Sequence, residues 1–303
     1  MNDIRKLTTQ DLGLFGNAVR FVRLAAVRRL PKADITYEGN NPFNSFSGSQ
    51  GVITMDSQPG VRAYNSFSLS LYDWWVLSVA NRFAWRCPTS DIQLPFYRKN
   101  LSNRHLDIGA GTGYYPRHCM NICQLTLLDL NTECLFLALR RIGPARVKAT
   151  VRHDIFQPFP EYLHQRYNSL ALYYVLHCLN GSAEDKFIAL KNASQALSAD
   201  GMLFGTTISG ELQRHNIFGR ILLKIMNRKG IFTNYHDSAA LLQSQLRQLF
   251  REVTVNEVGA VIMFTARYPL HSEAESANIP LNCRSDADLN DTPGETGEQS
   301  LLS

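Results

Sequence analysis

No apolar run in this chain approaches the roughly 18 residues that a membrane span needs. The nearest stretch, Leu69–Ala80, is interrupted by Asp73, so integral membrane association is not expected. The first 30 residues carry scattered charge and no apolar core of a secretory signal. The six cysteines (Cys87, Cys119, Cys123, Cys134, Cys178 and Cys283) make no disulfide-dense pattern, which suits reduced thiols in a cytoplasmic protein. His118, Cys119 and Cys123 lie close together, but no second ligand pair at zinc spacing follows, and no acid pair at metal-ligand spacing is evident. No metal is therefore expected. RNP, helix-turn-helix and zinc-finger signatures are missing too, and the Lys and Arg residues are dispersed, so nucleic acid is not the expected partner. Charged residues are scarce, at 19% against 45% hydrophobic. That balance excludes wholesale disorder and leaves enough apolar surface for a sizeable core.

The 303 residues suit one large domain with additions. The net charge of +5 is uneven: residues 270–303 carry −6, leaving +11 on the body. Residues 14–27 read as an amphipathic helix with Leu14, Ala18, Phe21, Val22 and Ala25 on one face. Residues 34–64, rich in Asn, Ser, Gly and Pro, read as a long flexible loop. An aromatic helix over 66–86 follows, stopped by Pro88. Beyond Arg104, short apolar runs alternate with helical stretches. Strands are expected at His105–Ile108, Leu125–Leu128, Val151–His153, Ser169–Val175, Gly201–Thr207, Glu252–Val258 and Ala260–Tyr268. Helices are expected between the first five strands and before the sixth, which argues for an α/β fold with a mostly parallel sheet covered on both faces. The last two strands meet at Gly259 with almost no connector, so one of them must run antiparallel. Three parts result: a helical cap over 1–100, a sheet domain over 101–268, and an acidic, disordered tail over 269–303.

The chemistry-bearing segment is His105-Leu-Asp-Ile-Gly-Ala-Gly-Thr-Gly-Tyr-Tyr115. An apolar strand runs into Gly109, Gly111 and Gly113 and then into a helix. Glycines permit tight turns and close ligand approach, and free N–H groups at a helix start favour an anionic group. A second strand ends at Asp129, about twenty residues on, where nucleotide-binding βαβ units grip ribose hydroxyls.

These residues resemble the class I S-adenosylmethionine-dependent methyltransferases. Leu106-Asp-Ile-Gly-Ala-Gly-Thr-Gly113 is similar to their first motif and Leu127-Leu-Asp-Leu-Asn131 to the second. His153-Asp-Ile155, Tyr174-Val-Leu-His-Cys-Leu179, Leu197-Ser-Ala-Asp-Gly-Met-Leu203 and the hairpin Phe250–Arg267 resemble later landmarks, so the likeness covers about residues 100–268. Leu69–Val76 and Asn81–Pro88 resemble N-terminal helices of small-molecule tailoring enzymes from microbial natural-product pathways. The resemblance implies a Rossmann-like fold with a seven-stranded, mostly parallel sheet, an antiparallel last strand and an N-terminal helical cap. It also implies S-adenosylmethionine as cofactor. Gly109, Gly111 and Gly113 would pass under its methionine part, and Asp107 would reach its amino group, directly or through water. Asp129, with Leu130 beside it, would accept from the ribose hydroxyls. Asp154 would meet the adenine amine, Ile155 its ring, and Tyr173 would border the site. The chain has Asn168 where an acid is common, and it lacks the Asn-Pro-Pro-Tyr of amino-methylating enzymes acting on DNA bases and glutamine.

A sulfonium is already a strong electrophile, so the protein must mainly align the acceptor and exclude water. A hydroxyl or enol acceptor can also need a base. His177 follows the fourth strand at the sheet's carboxyl end and is the first candidate; Tyr72 and Asp73 are the second. The expected reaction is O-methylation of a small hydrophobic acceptor in secondary metabolism. Two alternatives keep the same motifs: a cyclase that uses the sulfonium charge without methyl transfer, and a non-catalytic cofactor-binding subunit.

Overall fold

The computed structural model describes residues 74–119 and 124–270. The expected helix at 14–27, the loop at 34–64, Tyr72, Asp73, Cys123 and the acidic tail from 271 onward lie outside the described residues. The chain enters as a π-helix, Trp74–Ala84, and reaches Pro88 through Trp85–Cys87. The expected helix is thus present over its described part, wound more widely: the Trp85 N–H reaches back to Ala80 O. A second short π turn, Thr89–Gln93, leads into α1 (Leu94–Asn100).

The sheet has seven strands: β1 (Arg104–Ile108), β2 (Gln124–Asp129), β3 (Val147–Arg152), β4 (Tyr167–Tyr173), β5 (Leu197–Ile208), β6 (Phe250–Val258) and β7 (Val261–Pro269). Their spatial order is β3-β2-β1-β4-β5-β7-β6. The first five strands pair in parallel, and β7 runs antiparallel to both β5 and β6. The hairpin at Gly259 therefore inserts the last strand between β5 and β6, which makes β7 the antiparallel member. The helices are α2 (Tyr114–Arg117), α3 (Thr132–Ile142), α4 (Ala183–Gln195), α5 (Ile217–Arg228) and α6 (Ala239–Arg247). Their starts follow local chemistry. Asn131, Ser182, Asn216 and Ser238 each accept a backbone N–H with the side chain, and Ser182 with Asp185 closes a full capping box.

Four expectations change. The fifth strand begins at Leu197, not Gly201, because Leu197 pairs with Tyr167 ahead of a bulge in the β4–β5 ladder. The third strand begins at Val147, not Val151, because Val147 pairs with Leu125 and Ala149 with Thr126, on the two sides of a bulge. The fourth strand ends at Tyr173, not Val175, because Tyr174 turns the chain at φ 58°. No α-helix stands between β3 and β4; that crossover holds only a 3₁₀ turn, Glu161–Leu163. Pro158 and Pro160 account for it, since a residue before proline is pushed out of the α region.

Alternation along the strands divides the core. Leu106, Ile108, Leu170, Leu172, Leu203 and Ile262 face α4 and α6 in the largest cluster. Leu125 and Leu127 face α3 on the opposite side. Tyr97 of α1 packs with Tyr115, Ala171, Tyr173 and Phe204, and Ala84, Trp85 and Cys87 pack with Leu222 and Leu223 of α5 and with Val261. Each fully buried leucine contributes about 1.5–3 kcal/mol over leaving it exposed. This two-sided burial is what holds the strand ends, and the loops on them, in fixed register.

Candidate active site

The glycine loop joins β1 to α2 at the carboxyl edge of the sheet, next to the ends of β2 and β4. Gly109, Gly111 and Gly113 all take left-handed backbone, at φ 67°, 53° and 71°. Their surroundings separate their roles. A Cβ on Gly109 would lie 2.5 Å from Val175 Cγ2, so this glycine lets the segment after β4 press on the loop. A Cβ on Gly113 would meet Ile142 Cδ1 at 3.0 Å and Ala138 at 3.1 Å, so this one seats α2 on α3. A Cβ on Gly111 would meet only Gly109 O, at 3.9 Å; the loop is open there, where a ligand can approach its backbone. Gly113→Ala is expected to cost about 2 kcal/mol or more from strain and crowding, read as a lowered melting temperature. Gly111→Ala should cost only about 1–2 kcal/mol of strain and show its main effect in cofactor affinity.

Two carboxylates flank the loop. Asp107 is 2% exposed, and Tyr97 Oη donates to its Oδ2 at 2.7 Å. Burial pushes its pKa up to about 7, the Tyr97 bond pulls it down, and the neighbouring charge of Asp129 raises it. Asp129 closes β2 and accepts the Asn131 N–H at 2.8 Å. Burial raises its pKa to about 6 against the pull of the backbone N–H groups of Asn131, Gly111 and Leu130. Its carboxylate is thus fixed beside the open glycine, with lone pairs left for hydroxyl donors. Leu130 next to it is an exposed apolar side chain. Asp154 Oδ1 accepts the Phe156 N–H at 3.0 Å in a local turn, while Ile155 packs within the main core cluster. Tyr173 is buried, with its hydroxyl on Gln93 O at 3.2 Å.

One buried residue absent from those motifs, Gln93, links them. Gln93 is fully buried and accepts from Tyr115 Oη at 2.6 Å. Its amide donates to Tyr174 Oη at 2.7 Å and to Cys87 O at 2.6 Å. It thereby ties the segment before α1 to the helix of the glycine loop and to the end of β4. A lone Gln between Ile92 and Leu94 was the sequence signal; its partners Tyr115 and Tyr174 are distant in the chain.

His177 is 2% exposed. Its Nδ1 lies 3.3 Å from Thr207 Oγ1 and accepts the Ile208 N–H at 3.4 Å. The Phe232 ring stands edge-on at 4.4 Å. Burial, with the Lys186 charge adding, pushes its pKa down to about 3, so the imidazole is neutral at physiological pH. His118 Nδ1 lies 2.8 Å from Tyr114 O. Among the described residues, no three of His, Cys, Asp and Glu are grouped to hold a metal. The four described cysteines are free thiols, and burial pushes Cys87 and Cys178 up to about 12.

A glycine loop between β1 and a helix, an acid closing β2, and an antiparallel β7 in a 3-2-1-4-5-7-6 sheet together define a Rossmann-like methyltransferase. A solved structure agrees in fold: the citrinin polyketide synthase CMeT domain matches with TM-score 0.50 and 16% identity over 67% of this chain and 57% of that one. No family model matches the sequence. Methyltransferase verB of Penicillium polonicum is 36% identical over 225 residues, covering 70% of this chain and 99% of that protein. The Escherichia coli K12 protein YbcY is 43% identical over 190 residues, covering 63% of this chain and 98% of that protein. Further relatives carry O-methyltransferase and N-methyltransferase names, one of them from a physcion biosynthesis cluster. The chain belongs to this family of S-adenosylmethionine-dependent methyltransferases.

Proposed function

We propose that the protein methylates a hydroxyl or enol oxygen of a small, largely apolar natural-product acceptor. The observation that carries the cofactor half of this reading is the left-handed glycine loop, open at Gly111, with the Asp129 carboxylate fixed beside it. When bound there, S-adenosylmethionine supplies an activated methyl group. Asp129, with Leu130 beside it, would take the ribose hydroxyls, Asp154 would meet the adenine amine and Ile155 its ring, and Asp107 would take the methionine ammonium. Oxygen as the acceptor atom is favoured by the relatives that bear O-methyltransferase names. The apolar character of the acceptor is favoured by the exposed Leu212, Ile217, Ile221 and Tyr235 on the segments after β5, with Phe83 beside them. The free thiols and the lack of a membrane-spanning helix among the described residues suit work in the cytoplasm.

An imidazole with a pKa near 3 is too weak to hold a proton taken from a hydroxyl at neutral pH. We therefore assign His177 to packing the end of β4 on β5, and catalysis to alignment and exclusion of water. His177→Gln should keep turnover within about threefold; a loss of about 10²-fold with normal folding would return His177 to the role of base. The whole reading is tested with methyl-labelled cofactor and a panel of phenolic and enolic aromatic polyketides. Labelled product with stoichiometric release of S-adenosylhomocysteine is the expected result. Altered product without label or release would put cyclisation in its place.

A further inference from the structure

Beneath the glycine loop a line of polar side chains crosses otherwise apolar packing. The Ser102 N–H donates to Ser169 Oγ at 3.0 Å. Ser169 Oγ lies 2.8 Å from His105 Nδ1, His105 Nε2 lies 2.9 Å from Tyr97 Oη, and Tyr97 Oη lies 2.7 Å from Asp107 Oδ2. Ser169, His105 and Tyr97 are fully buried. The order of donors follows from counting hydrogens. Tyr97 Oη spends its single hydrogen on Asp107, so its bond with His105 Nε2 needs the imidazole proton there. The Nδ1 of the neutral ring is then left to accept, and Ser169 Oγ, which itself accepts from Ser102, donates to it. Burial drives the His105 pKa down to about 3, so a second proton that would reverse this order is kept off the ring.

We propose that Tyr97 is a positioning residue that aims the Asp107 carboxylate at the cofactor's ammonium, with His105 and Ser169 fixing the direction of its hydroxyl hydrogen. This rests on the reading that Asp107 receives that ammonium. The other groups facing Asp107 are Asp129 at the end of β2, Tyr173 at the end of β4 and Cys119 after α2. The Tyr173 hydroxyl is spent on Gln93 O. Burial holds the Cys119 thiol above its ordinary pKa, so it adds no charge. The Asp129 charge opposes ionisation of Asp107. Among the described residues, Tyr97 is thus the side chain that donates to Asp107 and favours its charged form.

The test reads Asp107 itself and then binding. Carbon-13 NMR follows the Asp107 titration in the cofactor-free protein, and calorimetry follows S-adenosylhomocysteine binding from about pH 5.5 to 9. Tyr97→Phe keeps the ring and removes the donor. It should raise the Asp107 midpoint by about one unit or more and weaken binding about fivefold at pH 7, with the gap closing near pH 9. Ser169→Ala frees His105 to change tautomer and should move the midpoint the same way; nitrogen-15 shifts of His105 should show Nε2–H before the change. Asp107→Asn should bind weakly at every pH. Unchanged binding by Asp107→Asn would remove the ammonium role of Asp107. Weakened Asp107→Asn with an unmoved midpoint in Tyr97→Phe would overturn the positioning role alone. If Tyr97→Phe fails to fold, an unmoved midpoint in Ser169→Ala, or an Nδ1–H tautomer in the parent protein, overturns it equally.

Discussion

Asp129→Ala should weaken binding of S-adenosylhomocysteine by about 10²- to 10⁴-fold while leaving the fold intact. The magnitude follows from the two charge-assisted bonds that Asp129 would make to ribose hydroxyls, at about 1.5–3 kcal/mol each. The carboxylate is well suited to this: it is acceptor-only, and the Asn131 N–H holds one of its oxygens at 2.8 Å. Its charge is also costly in the free protein. Burial raises its pKa from 3.8 to about 6, so the folded protein holds this proton more tightly than the unfolded chain. The stability linked to Asp129 is therefore full below about pH 4 and is lost as pH rises through about 6. Asp129→Asn keeps an acceptor for the Asn131 N–H and removes that pH dependence, yet it presents a donor to the ribose and should bind at least about tenfold more weakly. Calorimetry and thermal melts between pH 4 and 8 check both statements. Binding by Asp129→Ala within about threefold of the parent would mean that the ribose is held elsewhere.

The largest loss of stability is expected from Asp237→Ala. Lys186 Nζ reaches both Asp237 oxygens, at 2.6 and 2.8 Å, and Thr233 O at 2.7 Å. The side chains are 7% and 16% exposed. This pair clamps α4 to the segment before α6, and the Asp237 carbonyl accepts the Gly210 N–H at 2.8 Å, so it also anchors the chain leaving β5. Burial raises the Asp237 carboxyl pKa more than Lys186 lowers it, so the pair as a whole adds little stability. Removing one partner strands the other charge in the interior, which costs about 3–5 kcal/mol. In a domain of this size that is a fall of the order of 10 °C in melting temperature. Lys186→Met combined with Asp237→Leu should recover most of the loss. A melting temperature for Asp237→Ala within about 2 °C of the parent would show that the ammonium finds water or another acceptor.

Local order in the chain determined a good part of this protein. The run Leu-Asp-Ile-Gly-Ala-Gly-Thr-Gly fixed a strand, a left-handed loop and a helix start, because glycine alone adopts positive φ without strain. The spacing to Asp129 placed an acid at the next strand end, and the short joint at Gly259 forced an antiparallel strand. Ser182, Asn216 and Ser238 start helices through bonds to N–H groups three residues on. Each of these signals involves neighbours in sequence. What the tertiary structure decided involves partners brought together by strand register. His105 looked like one polar residue in an apolar strand; its pairing with Ser169 in β4, 64 residues away, made it a link in the line to Asp107. His177 looked placed for chemistry, and packing against β5 and Phe232 encloses it and lowers its pKa. Periodicity says which face a residue occupies, but only the packed sheet says what stands opposite it. Burial and hydrogen-bond partners are set there, and they determine which titratable groups stay charged.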